Sequence, residues 1–274
     1  MAGRVRCLFC PNPVGSGEHA FPEWMLKALG GRDLRLSITM PNGTIHSWKA
    51  RSTKKVFKYR VVCGPCNSRW MSQLENHSGT YVVPMMRGDL MELDATAQTL
   101  LSMWALKTAM VFDAVVRGGP HFFRQQEREQ LARSMTPPSP TQNPFAAPLR
   151  VWLAHYQGAR GTDFWGLVGH GIGRVTNGPH QPPVDVPVSA YFATLAAGQF
   201  VMQVMFPRVP VQHKRTAWGN LVGHPSKDFS RFTRQICPVV TSLINWPRVE
   251  ILQDAGMSLD DFAKRWPHGA ILRT

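Results

Sequence analysis

Two cysteine pairs, Cys7-x-x-Cys10 and Cys63-x-x-Cys66, are separated by 52 residues; Glu18-His19 lies between them and Asn67 directly follows the second pair. Two such knuckles present four thiolates, a donor set that suits tetrahedral zinc at about 2.3 Å per bond. Glu18 and Asn67 offer hard oxygen donors of the kind that hold Mg²⁺ or Mn²⁺. His19 has an ordinary pKa near ~6.5, which suits a base at neutral pH. A divalent ion on carboxylate and amide oxygens, beside an imidazole that takes a proton from water, is a solution for phosphodiester hydrolysis. The distance in sequence from His19 to Asn67 is no obstacle, because each follows a zinc knuckle and one ion would draw the knuckles together.

Other readings of these residues stay open. The cysteines could form disulfides or a redox pair, but the count is five, and Met1-Ala2-Gly3-Arg4 leads into the first knuckle without an apolar h-region. Metal-bound thiolates in a reducing cytoplasm are therefore the expectation. Cys237, before Pro238, reads as an inert buried thiol. Glu18 could be a plain surface carboxylate, His19 a partner of a knuckle carbonyl, and Asn67 the cap of the helix it opens. His77, ten residues after Asn67, is on a different part of that helix and is not expected on a metal. His155, His170, His180, His213 and His224 show no close ligand spacing, and Gly169-His170-Gly171-Ile172-Gly173 lacks the helix that a dinucleotide fingerprint requires.

The elements that must position these residues can be read coarsely. Pro22 suits the first turn of a short helix through Trp24. Leu34 to Met40 alternates apolar and polar residues, meets Asn42-Gly43, and returns through Ile45 and Trp48 as a hairpin. A strand from Val56 to Val62 delivers the chain to the second knuckle, and Trp70 to Glu75 has helical spacing. Asp94 is the expected N-cap of a helix to Val116 that Gly118-Gly119 ends. Its apolar residues cover most of its circumference, with Lys107 expected to snorkel to the edge. A charged helix is expected over Arg124 to Ser134. After a Pro-rich stretch the chain reads as mainly β: Tyr191–Leu195 and Phe200–Phe206 around Ala196-Ala197-Gly198-Gln199, then Val239–Ile244 and Val249–Leu252, with a closing helix from Ser258. Trp24, Trp70 and Trp104 read as core residues.

Composition narrows the partners. The chain has 274 residues and a net charge of +14, and residues 1–83 alone carry 12 Lys and Arg against 4 Asp and Glu. This basic density in the knuckle segment is the electrostatic footprint expected for phosphate backbones. Lys54, Lys55, Lys58, Arg60 and Arg69 are the candidate nucleic-acid contacts. No run approaches the ~20 apolar residues of a membrane span, so no membrane partner is expected.

Cys7-x-x-Cys10, Glu18-His19-x-x-Pro22 and Cys63-x-x-Cys66-Asn67 together resemble the HNH endonuclease family, in its zinc-bearing four-cysteine branch with a ββα-metal core. The resemblance covers about residues 5–77. It implies Glu18 as acidic ligand of the catalytic ion, His19 as general base, Asn67 as final metal ligand and the four cysteines as structural zinc ligands. The runs Trp70–Glu75 and Trp104–Ala109 are similar to uncharacterised proteins described as HNH-like. Two departures stand out: Arg51 to Lys58 holds no counterpart of the family's middle Asn, and the interval from His19 to Cys63 is long.

The expectation is an α+β chain. It comprises a zinc-bound, treble-clef-like ββα-metal module over 1–83, a helical segment over 84–134, a Pro-rich linker over 135–149 and a β-rich region over 150–274. Its expected activity is metal-dependent hydrolysis of DNA phosphodiester bonds, with zinc structural and Mg²⁺ or Mn²⁺ catalytic; cutting both strands would call for a homodimer. The alternative is a catalytically silent zinc module that binds nucleic acid or protein, which the missing middle Asn favours.

Overall fold

The computed structural model describes residues 5–19, 22–28, 34–39, 45–50, 58–115, 121–135, 143–155, 166–175, 188–208, 233–239 and 242–246. Lys54 and Lys55, the stretch expected to hold a middle Asn, Gly118-Gly119, most of the Pro-rich linker, His180, His213, His224 and everything after Trp246 lie outside these residues. The fold is mixed helix and sheet with a four-cysteine cluster near its start.

Strand β1 (Ser16–His19) pairs antiparallel with β4 (Lys58–Val62), with Glu18 opposite Tyr59 and His19 opposite Lys58. Sequence reading expects β4 but not β1, which is short and follows a turn-rich stretch. Helix α1 (Glu23–Ala28) starts just after Pro22. Strands β2 (Leu34–Thr39) and β3 (Ile45–Ala50) pair antiparallel as expected, while the Asn42-Gly43 turn itself lies outside the described residues. Beyond β4 the second knuckle turns as α2 (Gly64–Cys66), continues as a π-helical turn (Asn67–Met71) and becomes α3 (Ser72–Arg87). Gly88 ends α3 in the left-handed region at φ 87°, where its N–H reaches Met85 O at 3.1 Å and the Asp89 N–H reaches Pro84 O at 3.0 Å.

Helix α4 (Ala95–Val115) is the centre of the core. Asp94 caps it as the sequence predicts, its Oδ1 accepting from the Ala97 N–H at 2.7 Å. Leu101, Trp104, Leu106, Met110 and Val111 are fully buried; burying each such side chain stabilises by about 1.5–3 kcal/mol. Asp113 closes the far end, accepting from the Phe122 and Phe123 N–H groups at 2.9 and 3.0 Å and from Arg128 Nη2 at 2.8 Å. Arg128 belongs to α5 (Gln125–Ser134), so this buried carboxylate fastens two helices and their connection.

Strand β5 (Met91–Asp94), which sequence reading does not anticipate, pairs with β11 (Leu243–Trp246). The strand expected at Val239–Ile244 is thus shifted, since Val239 is exposed and precedes it. The large sheet is antiparallel throughout, in the order β10-β6-β9-β8-β7. Its strands are β6 (Arg150–His155), β7 (Gly166–Val175), β8 (Val188–Ala197), β9 (Phe200–Arg208) and β10 (Thr233–Cys237). The β8–β9 turn is tighter than the four residues expected: only Gly198 and Gln199 separate the strands, and Gly198 takes φ 58°. A Cβ on Gly198 would meet Met86 O at 2.3 Å, while the Gln199 N–H donates to that same carbonyl at 3.0 Å.

One continuous buried cluster includes Cys7 and Phe9, residues of α3 and α4, one face of the large sheet, and Ile244 and Trp246 of β11, crossing the segment boundaries that the sequence suggests. Trp24 packs on Trp104 with centroids 5.9 Å apart and Phe9 on Trp70 at 5.2 Å, so these indoles line the core as expected. Among the described residues no helix is long and apolar enough to cross a membrane.

Candidate metal centre and adjoining site

Cys7, Cys10, Cys63 and Cys66 converge, with all four Sγ atoms within 4.8 Å of one another. Cys10 Sγ lies 3.5 Å from Cys63 Sγ and 3.6 Å from Cys66 Sγ. Four sulfurs around one zinc at 2.3 Å would be about 3.8 Å apart along a tetrahedron's edges, so the cluster fits that ion. The backbone supports negative sulfur. The Phe9 and Cys63 N–H groups donate to Cys7 Sγ at 3.5 and 3.2 Å, and the Cys66 N–H donates to Cys63 Sγ at 3.5 Å. Without an ion the four thiols cannot all ionise. The hydrogen bond from Cys66 draws Cys7 down to about 5 against its burial. Burial pushes Cys10 up to about 11, and the bond to Cys7 together with burial drives Cys66 upward. A dication removes this conflict by compensating several thiolates at once.

The knuckles also set the neighbouring polar residues. The turn of α2 fixes Asn67, whose N–H donates to Cys63 O at 3.1 Å. Its side-chain Nδ2 donates to Ser16 Oγ at 2.6 Å and to Gly17 O at 3.3 Å. Asn67 therefore lies against β1, two residues before His19, although 48 positions separate the two in sequence. It does not act as a cap by side-chain bonding to its own helix.

Glu18 is the surprise of the site. Its side chain is 3% exposed and its Oε1 accepts from Lys107 Nζ at 3.0 Å. Lys107, 1% exposed, also donates to Glu75 Oε1 at 2.5 Å. The lysine expected to snorkel instead stays in the core, because two carboxylates meet it there. Burial raises the Glu18 pKa, with the Lys107 charge opposing. Burial alone would lower the Lys107 pKa, but Glu18 and Glu75 more than offset it, and the ammonium is held above its ordinary value. Sequence reading misses the roles of Lys107 and Glu75. The usable signal is a lone cation in an otherwise apolar helix, which must find an anion or lose its charge.

Of the candidate phosphate contacts, Lys58, Arg60 and Arg69 are exposed. The aliphatic part of Lys58 lies over Gly17 of β1. Arg60 and Arg6 line a cleft of about 320 Å³ together with Cys7 and Leu8 of the first knuckle, His121 and Gln125. Among the described residues, His155 and Cys237 are packed into the interior. His155 Nε2 pairs with Gln199 Oε1 at 2.5 Å and its ring abuts Trp246, and burial lowers its pKa. Burial pushes the Cys237 thiol up to about 12, in keeping with an inert thiol. The glycine-rich run 169–173 is part of β7.

The donor types fit a second, hard ion in kind: a carboxylate on β1 and the Asn67 amide oxygen, which none of its bonds to β1 uses. Glu18, however, already carries a cation of the chain's own. No family model, curated protein or solved structure matches this chain.

Proposed function

We propose that this protein is an HNH-type endonuclease that hydrolyses DNA phosphodiester bonds, built on a zinc-clamped, treble-clef-like ββα-metal module. The observation that supports it best is the bond from Asn67 to β1: the residue after the second knuckle and the strand bearing Glu18-His19 meet at the cysteine cluster. Zinc at the four cysteines would fix that meeting and take no part in the chemistry. His19 would take a proton from the attacking water at an imidazole nitrogen. Glu18 and the Asn67 Oδ1 would hold a Mg²⁺ or Mn²⁺ ion, which stabilises charge on the phosphate and on the leaving oxygen. Lys58, Arg60 and Arg69, with Lys54 and Lys55, would grip the backbone without reading sequence. The thiolate cluster suits a reducing compartment, the cytoplasm, and a symmetric dimer would allow both strands to be cut.

Lys107 favours a second reading, the silent zinc module that binds nucleic acid or a protein partner, because it already neutralises Glu18. Supercoiled plasmid and single-stranded DNA incubated with Mg²⁺, Mn²⁺ or EDTA separate the two. Cutting that needs the divalent ion supports the nuclease. Salt-sensitive binding with no cutting in any ion supports the silent module and overturns the nuclease.

A further inference from the structure

The three charged side chains that meet beneath β1 come from three separate parts of the chain. Glu18 lies on β1, Glu75 on α3 and Lys107 in the middle of α4. Two carboxylates and one ammonium leave the cluster with one negative charge in excess. Lys107 is fully buried, so water cannot screen it, and each carboxylate gives it one oxygen, Oε1. A dication arriving at Glu18 meets a carboxylate whose charge is already compensated, with a fixed positive charge about 3 Å from its oxygen. Like charges at such distances in a poorly screened site repel strongly.

We propose that Lys107 is a tethered cation that occupies the charge of the Glu18 site and holds down its affinity for divalent ions. This rests on Glu18 as the ligand of the catalytic ion in the function proposed above. Lys107 is a positioning residue: it touches Glu18 and Glu75 and acts through them. It also ties ion occupancy at β1 to the packing of α4, so the residues that the HNH likeness covers do not make the site alone. Glu75, 19% exposed, is the wet side of the cluster and the natural place for an incoming cation to begin competing.

Lys107→Met removes the tethered charge at similar length and leaves two facing carboxylates in need of a cation. Binding of Mn²⁺ to the zinc-loaded protein, followed by electron paramagnetic resonance, tests this, beside melting with and without Mn²⁺. The wild type is expected to bind weakly. Lys107→Met is expected to bind at least ~10-fold more tightly, because a fixed positive charge beside the ion is lost, and to melt higher in Mn²⁺. Lys107→Arg, which keeps the charge, should stay weak. If Lys107→Met does not fold in metal-free buffer, refolding with Mn²⁺ is the readout; recovery with Mn²⁺ but not with NaCl of equal ionic strength supports the proposal, and failure in both overturns it. Equal Mn²⁺ affinity in wild type and Lys107→Met also overturns it. These readouts do not involve cleavage. A protein that never cuts DNA but gains Mn²⁺ affinity in Lys107→Met sinks the nuclease and keeps the tethered cation. A metal-dependent nuclease with unchanged affinity does the reverse.

Discussion

The four cysteines carry the local architecture, since three backbone N–H groups point at their sulfurs and the knuckle turns set both β1 and Asn67. Zinc binding in such a module is coupled to folding. Cys63→Ser is therefore expected to lose zinc and to melt at a lower temperature, as measured by metal analysis and thermal unfolding; a zinc-free variant that melts like the wild type would contradict the clamp. The cysteine pattern was legible because each knuckle is local in sequence. The Glu18 environment was not, since its partners lie 57 and 89 residues away and nothing local signals that its carboxylate turns inward. Lys107 shows the limit of treating a lone lysine in an apolar helix as an edge residue. A long side chain reaches water only if the packing leaves it a path, and here anions met it first.

Among the elements, those with strong local chemistry matched expectation: the pairing of β2 with β3, the Asp94-capped α4, and α5. The short strands β1 and β5 escaped, because each is only four residues long and is defined by a distant partner rather than by its own alternation. The β8–β9 turn shows how one residue joins two elements. Gly198 needs a left-handed backbone and has Met86 O against its missing Cβ. Gly198→Val is expected to destabilise the protein by about 1–3 kcal/mol from backbone strain alone, and by more once the contact with α3 is forced apart. Chemical denaturation gives the value; an unchanged midpoint would show that the turn does not dock on α3.

At the scale of the whole molecule, a core shared by the knuckle segment, α4 and the large sheet makes the candidate site part of the globule rather than an appended finger. Under the proposed function, the net charge of +14 would serve association with nucleic acid. If Lys54, Lys55, Lys58, Arg60 and Arg69 each meet one phosphate of duplex DNA, log affinity should fall with log salt at a slope of about −4.5. Arg69→Ala should reduce that slope by about 1 without changing sequence preference. Titrations of DNA binding over a range of salt concentrations supply the slope, and a flat dependence would remove nucleic acid as the partner. The central proposal is that His19, on the strand to which Asn67 bonds, is the base of a DNA-cleaving site. Supercoiled plasmid treated with Mn²⁺ and either the wild type or His19→Ala tests it most directly, with zinc content and melting temperature followed in both. The account predicts relaxed or linear DNA from the wild type only, with zinc content and melting nearly equal in the two proteins; equal cutting by His19→Ala, or none by the wild type, would contradict it.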